Sequence, residues 1–442
     1  MNRRRIFNWA LILAGVALLA WLVWLALSFF FGGKDLAKPS SWVPSTFFPA
    51  SGPGVQPVDT TSTTTVSNRR TVPKLRQLSN VPASGSVSFE KVSGGIGLRT
   101  AVTMFRWIER ATGHIYETRS DDTTKTRISN TTIPGIQEAF FSDDGQSVVA
   151  RYLRDDNQTV ETLVGKIEAT TGTSDNGYVY NETKLVTRFL EPGILAAGDS
   201  PEPGYFYSLT SRNGGAAVTL LPYVAGTSTI IFESPLSQWV VSWASSTLTL
   251  RTKADSEHAG YLFEANTRTG ETQKLIEARI GLTSIVNPAG TKALFSETSG
   301  GNILLWVKDF SNGTEKLLEL KTLPEKCAWS PTEEDVVYCG APDFYVRGAY
   351  PTNWYQGRFS FDDNIWRIET TQERYVLLVD TRENEDTFDV WKPQVSPNGK
   401  FFTFFNKRDL TLWSLDVSSE SAVVAPESGA AGAAVATGTP AA

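Results

Sequence analysis

The sequence predicts an all-β protein, a seven-bladed β-propeller, with six and eight blades as the neighbouring counts. Three observations lead there. A turn-centred motif recurs about every fifty residues, each recurrence carries four strand-like stretches, and the last one lacks its fourth. The composition agrees: 13 Trp and 24 Phe stand beside only 2 Met and 2 His, and aromatic rings fit pleated surfaces. The 35 Gly and 22 Pro suit a chain with many tight turns.

The chain begins with Arg3, Arg4 and Arg5, followed by an uncharged apolar run from Ile6 to Phe31. About 26 residues at ~1.5 Å rise span roughly 39 Å, enough to cross a bilayer with some tilt. The run is long, ends in Phe29-Phe30-Phe31 and is apolar all round, which reads as an uncleaved transmembrane signal anchor over residues 1–33. The arginines put the N-terminus in the cytoplasm and everything after Gly32 outside. The predicted location is therefore a bacterial cytoplasmic membrane, crossed once, with the propeller periplasmic or extracellular. Residues 34–72 are rich in Pro, Ser and Thr, including Thr60-Thr61-Ser62-Thr63-Thr64-Thr65. Such a segment buries too little apolar surface to order itself and reads as a disordered stalk. Residues 419–442, dominated by Ala and Gly, read as a disordered tail.

The propeller is expected over residues 73–418. Its clearest repeat is Ser396-Pro397-Asn398-Gly399-Lys400 followed by Phe401-Phe402-Thr403-Phe404. Asn-Gly there is expected to supply the positive φ of a two-residue hairpin turn. Further copies start at Ser142, Ser200, Ser234, Asn287 and Ser330, each ahead of a β-prone run. A second turn and two more strands follow, as in Asn302–Val307, Asn312-Gly313-Thr314 and Lys316–Leu320. Four antiparallel strands per repeat of this length make a propeller blade. A divergent first blade accounts for residues 84–130. After Leu410–Leu415 the last blade has no fourth strand, while Pro73–Leu78 looks like an outer strand without a blade. Pairing the two would fasten the N-terminal strand to the C-terminal blade and leave no open edge in the ring.

These repeats, with Trp329-Ser330-Pro331 and Ser396–Lys400 as the best copies, resemble the WD40-like (PD40) repeats of TolB-type bacterial propellers. The resemblance covers about residues 73–417 and implies a protein–protein scaffold in the cell envelope. It carries no catalytic residues.

Other chemistry finds little footing. The net charge of −6 argues against a nucleic-acid partner. No Gly-x-Ser-x-Gly elbow and no phosphate-cradling Gly-rich loop occurs. His114 and His258 fall in different blades and read as structural. The pairs Asp121-Asp122, Asp143-Asp144, Asp155-Asp156 and Asp362-Asp363 lack calcium-loop spacing and read as solvated turns. The reading is a non-enzyme with no cofactor, metal or catalytic site. The rival is a channel enzyme, a lyase or hydrolase, or a glycan-binding module acting on envelope carbohydrate.

Two features stand out of the repeat. If the Ser330 hairpin keeps the register of the Ser396 hairpin, Cys327 faces Cys339, leaving either a disulfide or two buried thiols. Between Cys339 and Trp366 an insertion stretches the sixth repeat. Its Phe344, Tyr345, Arg347, Tyr350, Trp354, Tyr355, Arg358, Phe359 and Phe361 have the composition of an interface hot spot or carbohydrate platform. The plainer reading is a loop folded over one mouth of the ring and packed on its own blade. The two readings can coexist.

Overall fold

The computed structural model describes residues 72–419, apart from 94–99, 157, 174–178 and 382–386. The chain divides between Asn68 and Arg69. The apolar run, the stalk and the tail, and with them the predicted anchor, lie outside the described residues. Among the described residues no helix is long and apolar enough to cross a membrane.

Seven four-stranded antiparallel sheets account for the remainder. Six are consecutive in the chain. The first runs from Ala83–Ser93 to Thr126–Arg127, and the sixth from Cys327–Trp329 to Arg374–Val379. The seventh combines Val390–Val395, Phe401–Asn406 and Leu412–Asp416 with Leu75–Ser79 from the other end of the propeller. Leu75 pairs with Leu415 and Gln77 with Trp413, so the expected closure is present.

Burial shows why this is a ring. Strand side chains alternate between the two faces of a sheet, and each blade packs both faces on its neighbours. One apolar cluster fills every junction. Blades one and two share Ile108, Ile136 and Val148; two and three share Val149, Val164 and Phe206; three and four share Leu209, Val218 and Leu248. Blades four and five meet at Leu262, Ile276 and Phe295, five and six at Leu305, Leu318 and Val337, and six and seven at Tyr338, Ile365, Phe402 and Phe404. Leu78, Leu412, Phe105 and Trp107 close the circle between blades seven and one.

The recurring Ser or Asn acts on the backbone at the turn from first to second strand. Ser396 Oγ accepts the Phe401 N–H at 3.0 Å, and Ser142 Oγ accepts the Ser147 N–H at 3.0 Å. Asn287 Oδ1 takes the N–H groups of Thr291 and Lys292. A buried side chain thereby satisfies donors that the turn would otherwise strand. Two sequence expectations are corrected here. Five residues separate Val395 from Phe401, and Gly399 alone among them has positive φ, at 73°. The two-residue Asn-Gly turn is therefore absent, and Asn398 instead caps the Lys400 N–H. The copy at Ser234 is not such a turn either. Ser234 ends the outer strand of blade three and Trp239 begins blade four, so the segment links blades. The true turn of blade four is Ser245-Ser246, where Ser245 has φ 51°.

In blade six Cys327 pairs with Cys339 and Trp329 with Val337. The cysteines' Cα atoms stand 4.1 Å apart and the sulfurs are bonded, the close spacing of a non-hydrogen-bonded antiparallel pair.

Candidate functional site

Successive strands of a blade run in opposite directions. The serine turns, between first and second strands, therefore lie at one end of the ring, and loops between second and third strands lie at the other. The insertion joins Val336–Pro342 to Asp363–Glu369, so it sits at the end opposite the serine turns.

Its aromatic residues divide into two sets. Tyr350, Trp354 and Phe361 are fully buried and form a cluster with Ile303 and Leu323. Phe359 packs edge-on to Tyr350 and Phe361, at 5.6 and 4.9 Å between centroids. Tyr345 is half-buried, with its hydroxyl accepting the Ile303 N–H at 3.1 Å. As contact residues for a partner, Tyr350, Trp354 and Phe361 are corrected. Their rings are consumed in holding the loop, because an insertion of this length must bury an apolar face of its own. Phe344 is 88% exposed and Val346 69%. Arg347, Tyr355 and Arg358 are exposed as well, and among the described residues neither arginine's guanidinium has a polar partner.

The insertion is held by four blades, not only its own. Thr298 of blade five donates to the Tyr350 carbonyl at 2.8 Å. The Ser256 N–H of blade four donates to Thr352 Oγ1 at 3.0 Å. Tyr355 donates to Glu325, which also receives buried Arg251 of blade four at 2.6 Å. From blade seven, Lys407 donates to the Trp354 carbonyl at 2.5 Å and Arg408 to the Phe361 carbonyl at 3.1 Å.

At the centre lies a buried ionic hub. Lys326, 0% exposed, reaches Asp363 at 2.6 Å and also pairs with Asp389. Its ammonium lies 4.6 Å from the Phe361 ring centroid and 5.1 Å from that of Trp354, close enough for cation–π attraction. Asp389 further accepts the Trp354 indole N–H at 3.0 Å, Ser360 Oγ at 2.9 Å and the Phe361 N–H at 3.3 Å. Burial pushes the Asp363 carboxyl up to about 7, against the pull of Lys326 and with the neighbouring Asp389 charge adding to the rise. Burial also lowers Lys407. The sequence reading of Asp362-Asp363 as a solvated pair is corrected for Asp363, which is wholly buried. Neither Lys326 nor Asp389 was singled out from the sequence, because nothing in a chain position announces that three distant charges will meet.

At the other end the ring opens into a cavity of about 660 Å³. Apolar walls come from Val241, Trp243, Ile285, Val286 and Trp329, and Asp143 and Asp199 supply its charge. Tyr223 donates to Asp199 at 3.0 Å. Burial pushes Asp199 up to about 7, helped by the charge of Asp143 and a hydrogen bond with it. An unfolded aspartate ionises near 3.8. Across about pH 4 to 7 the folded chain thus keeps a proton the unfolded chain has lost, so stability from this group falls as pH rises through that window. Asp199→Asn is expected to flatten this part of the profile of urea midpoint against pH. An unaltered slope would remove Asp199 as its source.

Among the described residues no group of three or more His, Cys, Asp or Glu is placed to hold a metal ion. No protein-family model and no curated relative matches the sequence. Among solved structures, the chain is similar to an oligogalacturonate lyase in complex with manganese, at 10% identity and TM-score 0.46, over 78% of this chain and 98% of that one. It is also similar to TolB from Acinetobacter baumannii, at 12% identity and TM-score 0.38, over 77% and 86%. A third is the β-propeller domain of Myceliophteria thermophila Cps50 (Swd1), at 10% identity and TM-score 0.43, over 75% and 100%. At these identities and scores they bring no substrate, activity or partner to this chain.

Proposed function

We propose that the protein is a membrane-tethered, extracytoplasmic interaction propeller of the TolB-like kind, and that its contact surface is the outer side of the insertion. One observation carries this reading. A segment clamped by a fully buried hub exposes Phe344 and Val346 to solvent, beside Arg347 and Arg358, whose guanidiniums have no partner among the described residues. Exposed aromatic and arginine side chains are the residues that most often dominate binding energy, and a surface fixed beforehand loses little entropy on association. The disulfide supports an oxidising compartment, as the apolar run after three arginines supports the tether.

A photo-crosslinking phenylalanine analogue placed at Phe344 of the full chain, in the native cell, tests the reading. The same probe at exposed Thr269, on an outer turn of blade four, is the control. A discrete adduct is expected from position 344 and none from 269. Adducts from neither position, or equally from both, would overturn it.

A further inference from the structure

We propose that the insertion's partner is a second copy of this chain, seated head to tail, with the Phe344–Arg347 projection of one copy entering the open cavity of the next. The proposal rests on the insertion being a contact surface and names what it contacts.

The two surfaces lie at opposite ends of every copy, so one end can meet the other without rearrangement. They complement each other in charge. The turns between first and second strands carry Asp143, Asp144, Glu202, Glu333, Glu334 and Asp335, against Lys400 alone among the described residues. Lys292, in the adjoining strand, engages Asp335, and Arg367 engages Glu333. The insertion offers the exposed Arg347 and Arg358, whose guanidiniums have no partner among the described residues, while its own acids are engaged, Asp343 by Asn364 and Asp362 by Arg408. They complement each other in polarity as well. Phe344 and Val346 project from one end, and Val241, Trp243, Ile285 and Val286 wall an opening at the other. At about 660 Å³ the cavity is within the ~300–1,000 Å³ range of side-chain and ligand pockets. A chain with net charge −6 repels its own kind over most of its surface, so association is confined to the place where the arginines answer the acidic turns. Such a contact uses different surfaces on the two copies. It does not close on itself, and it builds open-ended rows.

Sedimentation of the full chain in detergent micelles tests this. Mass is expected to rise with concentration and to fall back with added salt. Phe344→Ala with Val346→Ala should leave one chain per particle. Arg347→Glu alone and Asp143→Lys alone should each weaken association about tenfold or more, roughly the 1.4 kcal/mol of one charge contact. Mixing these two charge-reversed chains should restore it, because each supplies the sign the other lacks. Arg347 and Asp143 are exposed, and circular dichroism identical to the parent's shows that the variants fold. A single-chain mass at all concentrations, or association indifferent to these substitutions, overturns the proposal. So does an adduct at Phe344 whose mass is not twice that of the chain; that result would leave the insertion as a contact surface for a different protein. No adduct at all would overturn both readings.

Discussion

Replacing Asp389 with alanine is expected to cost about 3–5 kcal/mol, the range for removing one partner of a buried ion pair. Its carboxylate receives Lys326, the Trp354 indole, Ser360 and the Phe361 N–H. Alanine strands the buried Trp354 indole and Phe361 N–H and leaves Lys326 with Asp363 and the Val390 carbonyl, and the full desolvation penalty falls on each buried donor that finds no new acceptor. Asp363 offers only part compensation. It already binds Lys326 and the Val390 N–H through Oδ2, and its buried Oδ1 has no hydrogen-bond partner. The Asn variant keeps the shape and can still accept the indole N–H, so a smaller loss is expected. Urea unfolding followed by tryptophan fluorescence gives the cost. Trypsin gives the location, because Arg347 and Arg358 flank the clamped helical turn Thr352–Tyr355. Cleavage after these arginines should precede cleavage in the blades only in the variants. An unchanged midpoint and an unchanged cleavage order would mean that Asp389 does not hold the insertion.

How much of this was legible in the chain depends on whether the information is local. The Cys327–Cys339 pairing follows from strand register, which period-two alternation and a repeated turn transmit along a few residues, and the closure by Leu75–Ser79 follows from the strand count of each repeat, which left the last blade one strand short. The turns at Ser142, Ser200, Asn287, Ser330 and Ser396 could be found because one buried side chain capping one backbone loop leaves a local mark. The same mark misled at Ser234, where Ser-Pro bends the chain between blades. Ser245-Ser246, the real turn, carries no proline or glycine to betray it. In the insertion, composition showed that aromatics were concentrated but not which would face water. That choice is made by Ile303, Leu323 and Asp389, tens of residues away. Asp199 gave no signal for the same reason: its neighbours Asp143 and Tyr223 come from the preceding blade and from two strands further along the chain.

Deleting residues 73–79 from the full chain is expected to have the larger effect, because it removes the strand that turns an open row of blades into a ring. Leu78, almost fully buried, packs with Leu412 and Phe405 of blade seven and with Phe105 and Trp107 of blade one. Losing that side chain alone, as in Leu78→Ala, should cost about 2–5 kcal/mol. The deletion also takes Arg76, which donates to the Arg119 carbonyl at 2.6 Å and lies 5.5 Å from the Phe105 ring, and so unties blade one from blade seven. It leaves Leu412–Asp416 as an edge with unpaired backbone groups, open to pairing with another chain. Differential scanning calorimetry should show Leu78→Ala melting in one transition at lower temperature. The deletion should give a broadened transition and aggregate on heating. Cooperativity distinguishes the two cases, since a closed ring shares its junctions and an open one can lose its end blades first. If the deleted chain melts as sharply as the intact one, the junction between blades seven and one is not what holds the ring together.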